Sequence, residues 1–344
     1  MKYGVEIEAE GGTRSQVHDE LRGREIYNRS TGEYSFTEGS NPLATVTTDG
    51  SLKASGVEVK PTRGLFPAEF TPWVGSVTTA MRDAGFSSNS RCGLHIHVDR
   101  NSMPEWALED FTLALSCWSY VGAQGAVDTK LFHTNASRLS SQYSRAADLT
   151  MLMRASLEGA CAAFSNHYLA VSWSEHHQTI EVRMARGSMS APTIDRVWSA
   201  IRCTLGAVRS KAVRAELATL RADAVTSQDA MGAIVYDADA QFSRYRSSEI
   251  TYGEYESAYC ANSRQRMAAA NVLRPSVCAV GMALDAYVRK AMRDRATTKA
   301  RNARIAKRSP SVARVVVPTA AALTPFIDYS SPHYHSLLSG SAGN

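Results

Sequence analysis

The sequence has no Cys-x-x-Cys pair, no apolar leader, no internal repeat and no apolar run long enough to cross a bilayer. Each absence removes a class. Without paired cysteine motifs there is no zinc ribbon or dithiol redox centre to consider. The six cysteines would permit disulfides in a secreted chain. Here, however, Met1-Lys2-Tyr3-Gly4 leads directly into a charged segment, and the expectation is a cytosolic protein with reduced thiols. The longest uncharged run, Phe111 to Val127, is 17 residues and carries Ser116, Ser119 and Gln124. It reads as a buried helix rather than a span, so no membrane partner is expected. Solenoid and propeller architectures fall away with the missing repeat.

What remains is the profile of a folded enzyme-sized chain of 344 residues, 44% hydrophobic and 21% charged. The net charge of +5 is unevenly placed. Ten Lys/Arg against the single acid Asp294 lie between Tyr287 and Arg314, leaving the rest of the chain slightly acidic. The expected organisation is a catalytic domain over 1–225, a helical extension over 226–308 and a tail of little pattern over 309–344.

The first strand alternates strictly. Val5, Ile7 and Ala9 take one face, and Glu6, Glu8 and Glu10 the other, before Gly11-Gly12 ends it. Residues 25–60 stay β-like, with turn signals at Ser30-Thr31-Gly32 and Asp49-Gly50, and Gly56–Lys60 as a strand stopped by Pro61. A helix is expected over Pro67–Asp83, closed by Gly85. Gly93–Asp99 alternates again, and Ser102 and Pro104 open a helix running to about Ala126. A loop over Thr129–Arg145 and a short helix over Asp148–Phe164 follow. Strands come next at Tyr168–Ser172 and Gln178–Ala185, then one long helix from Thr193 to Ala222 and a last helix from Ser276 to Ile305. Strands patterned on one face and separated by helices indicate an α+β fold: an antiparallel sheet covered by helices on one side.

Three pairs and one further strand carry the chemistry. Glu6 and Glu8, at i and i+2 of a strand, lie on one side about 7 Å apart. His95 and His97 share that geometry and can hold a divalent ion or orient an anionic ligand. Glu181 and Arg183 repeat it, with Arg186 just beyond; a carboxylate beside a guanidinium suits a metal ligand next to a phosphate clamp. Glu58 and Lys60 share a face on the Gly56–Lys60 strand. Each pair alone is also what a wetted sheet face carries. Together they place acids, imidazoles and guanidinium on one face, suited to hard Mg²⁺ ions and a nucleotide triphosphate.

Gly4-Val5-Glu6-Ile7-Glu8, Asp49-Gly50-Ser51-Leu52 with Gly56-Val57-Glu58-Val59, Cys92-Gly93-Leu94-His95-Ile96-His97-Val98, and Thr179-Ile180-Glu181-Val182-Arg183 occur in this order. The set resembles the amidoligase family, often phage-encoded, of the carboxylate–amine ligase superfamily that includes glutamine synthetase and glutamate–cysteine ligase. The resemblance spans residues 3–200. It implies a glutamine synthetase-like antiparallel sheet with helices on its outer face, binding ATP and Mg²⁺. By position it makes Glu6, Glu8, Glu58, His95 and Glu181 metal ligands. Arg183 becomes the residue that stabilises the phosphoryl group, and His97 the substrate-side neighbour of His95. Arg138, Lys60 and Arg186 are candidates for nucleotide or substrate contacts. Ser172 stands where the family often has Asn.

The implied reaction joins a small-molecule or peptide carboxylate to an amine through an acyl phosphate, in the host cytoplasm if the gene is a phage's. Two other readings use the same residues or the tail: a metal-dependent hydrolase on the same face, and a nucleic-acid binder through the basic helix Arg289–Arg308. A solvated helical tail accounts for the latter charges equally well. The other histidines read as surface or core residues, with His176-His177 in an exposed hairpin turn.

Overall fold

A computed structural model describes residues 1–12, 24–28, 33–38, 41–48, 52, 56–174 and 177–308. The turn signals at Ser30-Thr31-Gly32 and Asp49-Gly50, the tail over 309–344, and His18, His176, His333 and His335 lie outside them. Met1–Arg295 forms one compact unit. From Ala296 the chain belongs to a second unit, which is helical to Arg308 with exposed side chains through Arg304.

The first unit is α+β. Its strands are β1 (Tyr3–Ala9), β2 (Arg24–Asn28), β3 (Glu33–Glu38), β4 (Asn41–Thr48), β5 (Val57–Lys60), β6 (Gly93–Asp99), β7 (Val171–Ser174) and β8 (Thr179–Arg186). They form one sheet in the order β2-β3-β4-β5-β1-β6-β8-β7, with every pair antiparallel. The three strands with the strongest sequence alternation, β1, β6 and β8, lie side by side, towards its β7 edge.

Alternation decides which face is dry. Val5 and Ile7 of β1, Val57 and Val59 of β5, Leu94, Ile96 and Val98 of β6, and Ile180 and Val182 of β8 are all buried in one core. Helices cover that face. α1 (Pro67–Asp83) and α6 (Ala191–Ala207) pack together, and Trp198 of α6 stacks on Phe70 of α1 at 4.3 Å between ring centroids. The same indole meets Tyr3 of β1 edge-on at 5.7 Å. α2 (Glu105–Ala123) is buried nearly all round and packs against β7, β8 and α6, as its long uncharged run requires. Among the described residues no helix is long and apolar enough to cross a membrane. Cys92, Cys117, Cys203, Cys260 and Cys278 are free thiols.

Several boundaries differ from the sequence reading, each for a local reason. Ser102 does not cap α2. It ends a short 3-10 turn, Arg100–Ser102, capped by Asp99, and Pro104 takes the N-cap position of α2. The expected loop Thr129–Arg145 contains a 3-10 turn at Thr129–Phe132 and the one-turn helix α3 (Ala136–Leu139), started by the Asn135 side chain. The short helix splits into α4 (Leu149–Glu158) and α5 (Ala160–Ala163) at Gly159, whose φ of 94° only glycine adopts readily. The long helix expected from Thr193 is two. α6 stops at Ala207, and the Ser210 hydroxyl accepts the Val213 N–H to start α7 (Lys211–Arg246). α7 runs unbroken past residue 225, where a domain boundary was expected. Tyr252–Asn271 forms α8, which is followed by α9 (Arg274–Arg308).

The start of α1 yields a pH expectation. Glu69 accepts the Phe66 N–H at 2.8 Å and receives both Arg63 Nη atoms, at 3.0 and 2.8 Å. The Arg63 bonds first, then the backbone bond, hold its carboxyl down from 4.5 to about 2. A depressed carboxylate stabilises the fold above its unfolded value and loses that contribution as pH falls through the folded one. Thermal melts should show a small drop between pH 4.5 and about 2 that flattens in Glu69→Gln, small because the pair is exposed.

Candidate metal and anion site

The face opposite the core is polar yet largely closed to solvent. Glu8, His95, His97, Ser172 and Glu181 are all buried on it. The register explains their meeting. Glu6 faces His95 and Gly4 faces His97 across β1 and β6. His97 faces Glu181 across β6 and β8, Ser172 faces Glu181 across β7 and β8, and Glu8 faces Glu58 across β1 and β5. Residues from five segments of sequence thus become immediate neighbours, because antiparallel pairing puts directly opposed side chains about 5 Å apart.

Glu6 lies at the centre. His95 Nδ1 is 2.9 Å from its Oε2, and His97 Nε2 is 3.1 Å from its Oε1. Burial pushes the Glu6 carboxyl up, but the approach and charge of the two imidazoles outweigh it and hold it well below the usual carboxylate range. Burial pushes the His97 imidazole down. The approach and charge of Glu6, joined by the charges of Glu181 and Glu58, reverse this and raise it. Glu58 is pushed up by burial and by the Glu6 charge, against the pull of Lys60 at 3.1 Å.

Among the described residues, one trio offers donor atoms all within 4.8 Å of one another: Glu6, His97 and Glu181. His97, expected beside substrate, therefore belongs to the set that could hold a metal ion. Its Nδ1 bonds Thr179 Oγ1 at 3.0 Å, which fixes the ring and turns Nε2 towards the carboxylates. That Nε2 is buried and lacks a hydrogen-bond partner, although Glu6 Oε1 stands 3.1 Å away. An orphaned imidazole nitrogen between two carboxylates fits a divalent cation.

His95, expected as a ligand, is enclosed by carboxylates. Its Nδ1 is also 3.3 Å from Glu181 Oε1, and its Nε2, 3.2 Å from Glu8 Oε1, is likewise buried without a hydrogen-bond partner. Glu8 in turn accepts the Gly93 N–H. Gly93 leaves the gap these groups fill: a Cβ there would sit 2.6 Å from His95 Nε2, 2.7 Å from Arg138 Nη2 and 3.2 Å from Glu8 Oε2. Gly93→Ala should therefore fold with a near-normal melting temperature, because only side-chain ends must move. Its divalent-metal affinity should fall about tenfold or more, as other displaced supporting groups do. Titration with Mn²⁺ checks this.

The remaining expected residues divide. Arg183 Nη1 binds Glu181 Oε1 at 2.6 Å, and its strand carries a bulge where the β6–β8 register shifts between Leu94 and Ile96. Arg138 reaches in from α3, with Nη2 3.4 Å from the Arg183 carbonyl and Nη1 3.5 Å from that of Cys92. Lys60 joins the site through Glu58. Arg186 lies exposed at the end of β8, its N–H bonded to the His133 carbonyl. Glu10, on the same face of β1 by pattern, is drawn away by Arg91 at 2.6 Å and Asn89 at 2.7 Å.

A cleft of about 540 Å³ opens beside the trio, with Glu6, His97 and Thr179 in its lining. Lys2, Lys60, Arg63 and His177 line it too. His177 was read as an exposed turn residue. It is exposed, but its ring stands 6.0 Å from that of His97. Its place beside the acidic strand was not readable from the turn in which it sits. No protein-family model matches the sequence, and comparison with curated proteins gives no match.

Proposed function

We propose that the chain is an ATP- and Mg²⁺-dependent carboxylate–amine ligase, built on a glutamine synthetase-like sheet. The observation that carries this reading is the convergence of Glu6, His97 and Glu181 with Arg183 on one buried sheet face, beside a cleft carrying Lys2, Lys60 and Arg63. On this reading residues 1–225 carry the chemistry, and the helical segment from 226 to 295 completes the unit.

Glu6, His97 and Glu181 would hold the divalent ion, with Glu8, Glu58 and His95 setting the charge around them. When bound, the ion supplies charge neutralisation for the β- and γ-phosphates. The chain's own residues do the rest. Lys2, Lys60 and Arg63 draw a polyanion to the cleft. Arg183, with Arg138 behind it, stabilises the phosphoryl group as it passes to the substrate carboxylate. An amine then displaces phosphate from the acyl phosphate to leave an amide. The buried face keeps water from the activated acyl group.

The test is ADP release with Mg²⁺ across a panel of carboxylates and amines, with mass detection of the amide. Metal-dependent ADP formation that requires both an acid and an amine is the expected result. Absence of ATP–Mg²⁺ binding by calorimetry at millimolar concentrations rejects the reading.

A further inference from the structure

One oxygen on the site face is contested. Glu181 Oε1 is 2.6 Å from Arg183 Nη1, 3.3 Å from His95 Nδ1 and 4.0 Å from His97 Nε2. It is the Glu181 oxygen through which the carboxylate meets His97, and the trio suited to a cation includes both residues. A guanidinium therefore sits on a carboxylate that a divalent ion would need. Both cations cannot be held there with full strength, because like charges a few ångströms apart in a buried site repel strongly.

The Arg183 side chain has somewhere else to act. Its Nε is buried without a hydrogen-bond partner. Its backbone is tied down independently: the N–H bonds the Ala170 carbonyl at 2.9 Å, and its carbonyl accepts the Ser144 hydroxyl at 3.0 Å. The strand can stay in place while the guanidinium changes partner. Ser172, which faces Glu181 from the neighbouring strand, carries a buried hydroxyl that also lacks a partner. A guanidinium fork with an unused donor, on the same sheet face as an unused hydroxyl, suits a phosphate-type anion.

We propose that Arg183 is an exchangeable internal counter-ion: it neutralises Glu181 while the metal is absent, and metal binding releases it to bind a phosphate-type anion. The inference rests on the ligase reading of this site and adds an order to it, with the divalent cation and the phosphate binding cooperatively. By reciprocity, each ligand raises the affinity for the other by the same factor.

Arg183→Met separates this role from a plain structural one, using Mn²⁺ as the metal and inorganic phosphate as the anion. Without phosphate, the variant should bind Mn²⁺ about tenfold more tightly than wild type, because the competing cation is gone. Phosphate should tighten Mn²⁺ binding in wild type and have little effect in the variant. The wild-type chain also provides a measurement that needs no variant: it should bind phosphate well only when Mn²⁺ is present. Equal or weaker Mn²⁺ binding by a folded Arg183→Met overturns the counter-ion role, as does metal-independent phosphate binding by wild type. Failure of wild type to bind Mn²⁺ at all overturns the ligase reading itself, and this proposal with it.

Discussion

Glu6→Gln should give a folded protein that releases essentially no ADP. The replacement keeps the shape of the side chain and removes the charge that both imidazoles address, at 2.9 Å from His95 Nδ1 and 3.1 Å from His97 Nε2. It also takes an anionic ligand from the one trio of described residues able to surround a cation. Loss of a supporting group around a metal costs about 10- to 100-fold in affinity, so loss of a direct ligand should cost roughly a hundredfold or more. Turnover should fall further, since in the proposed ligase reaction the ion and Arg183 would act on the same phosphoryl charge. The fold should survive because Glu6 belongs to the polar face, while Val5 and Ile7 on either side hold the strand in the core.

Glu10→Gln is the matched control. It is the same substitution on the same strand, but Glu10 is engaged by Arg91 and Asn89 outside the site. Its turnover should stay near that of wild type, because the groups it binds lie outside the site. Equal loss in both variants would mean that charge on β1 in general, not the site, supports activity.

What the sequence made legible follows from period. Alternation at two residues fixes which side chains share a face, so Glu6 with Glu8, His95 with His97, and Glu181 with Arg183 were readable before any strand was paired. So was α1, whose Pro67–Asp83 bounds are those expected. Pairing is a tertiary fact. Nothing local says that β1 lies between β5 and β6, or that β6 is flanked by β1 and β8.

The different surroundings of the two histidines were therefore not legible. His95 and His97 are equivalent by pattern, and only the register puts His97 opposite Glu181, while His95 is enclosed by Glu6, Glu8 and Glu181. Lys2, Arg63 and His177 also reach the cleft through chain packing rather than through strand alternation. Gly93 was the nearest thing to a usable signal, a residue without a side chain directly ahead of the His-x-His strand.

The same strand that carries the histidines supports the largest stability effect expected. Ile96 lies between them on β6, fully buried on the opposite face. It faces Val5 of β1 on one side and Val182 of β8 on the other. Ile96→Ala removes three carbons inside the sheet, where strands on both sides limit collapse around the void. The cost should be about 3–4 kcal/mol, within the range for large-to-alanine core changes, against about 1 kcal/mol for Ile96→Val. That is a large share of the roughly 5–15 kcal/mol that holds a natural domain together. Urea titration should show the midpoint fall with the slope preserved. Because His95 and His97 depend on this strand for register, Mn²⁺ affinity should weaken in Ile96→Ala at temperatures where the fold loosens and recover on cooling. Glu6→Gln should show no such recovery. An Ile96→Ala cost no greater than that of Ile96→Val would mean that this part of the sheet is not packed as described.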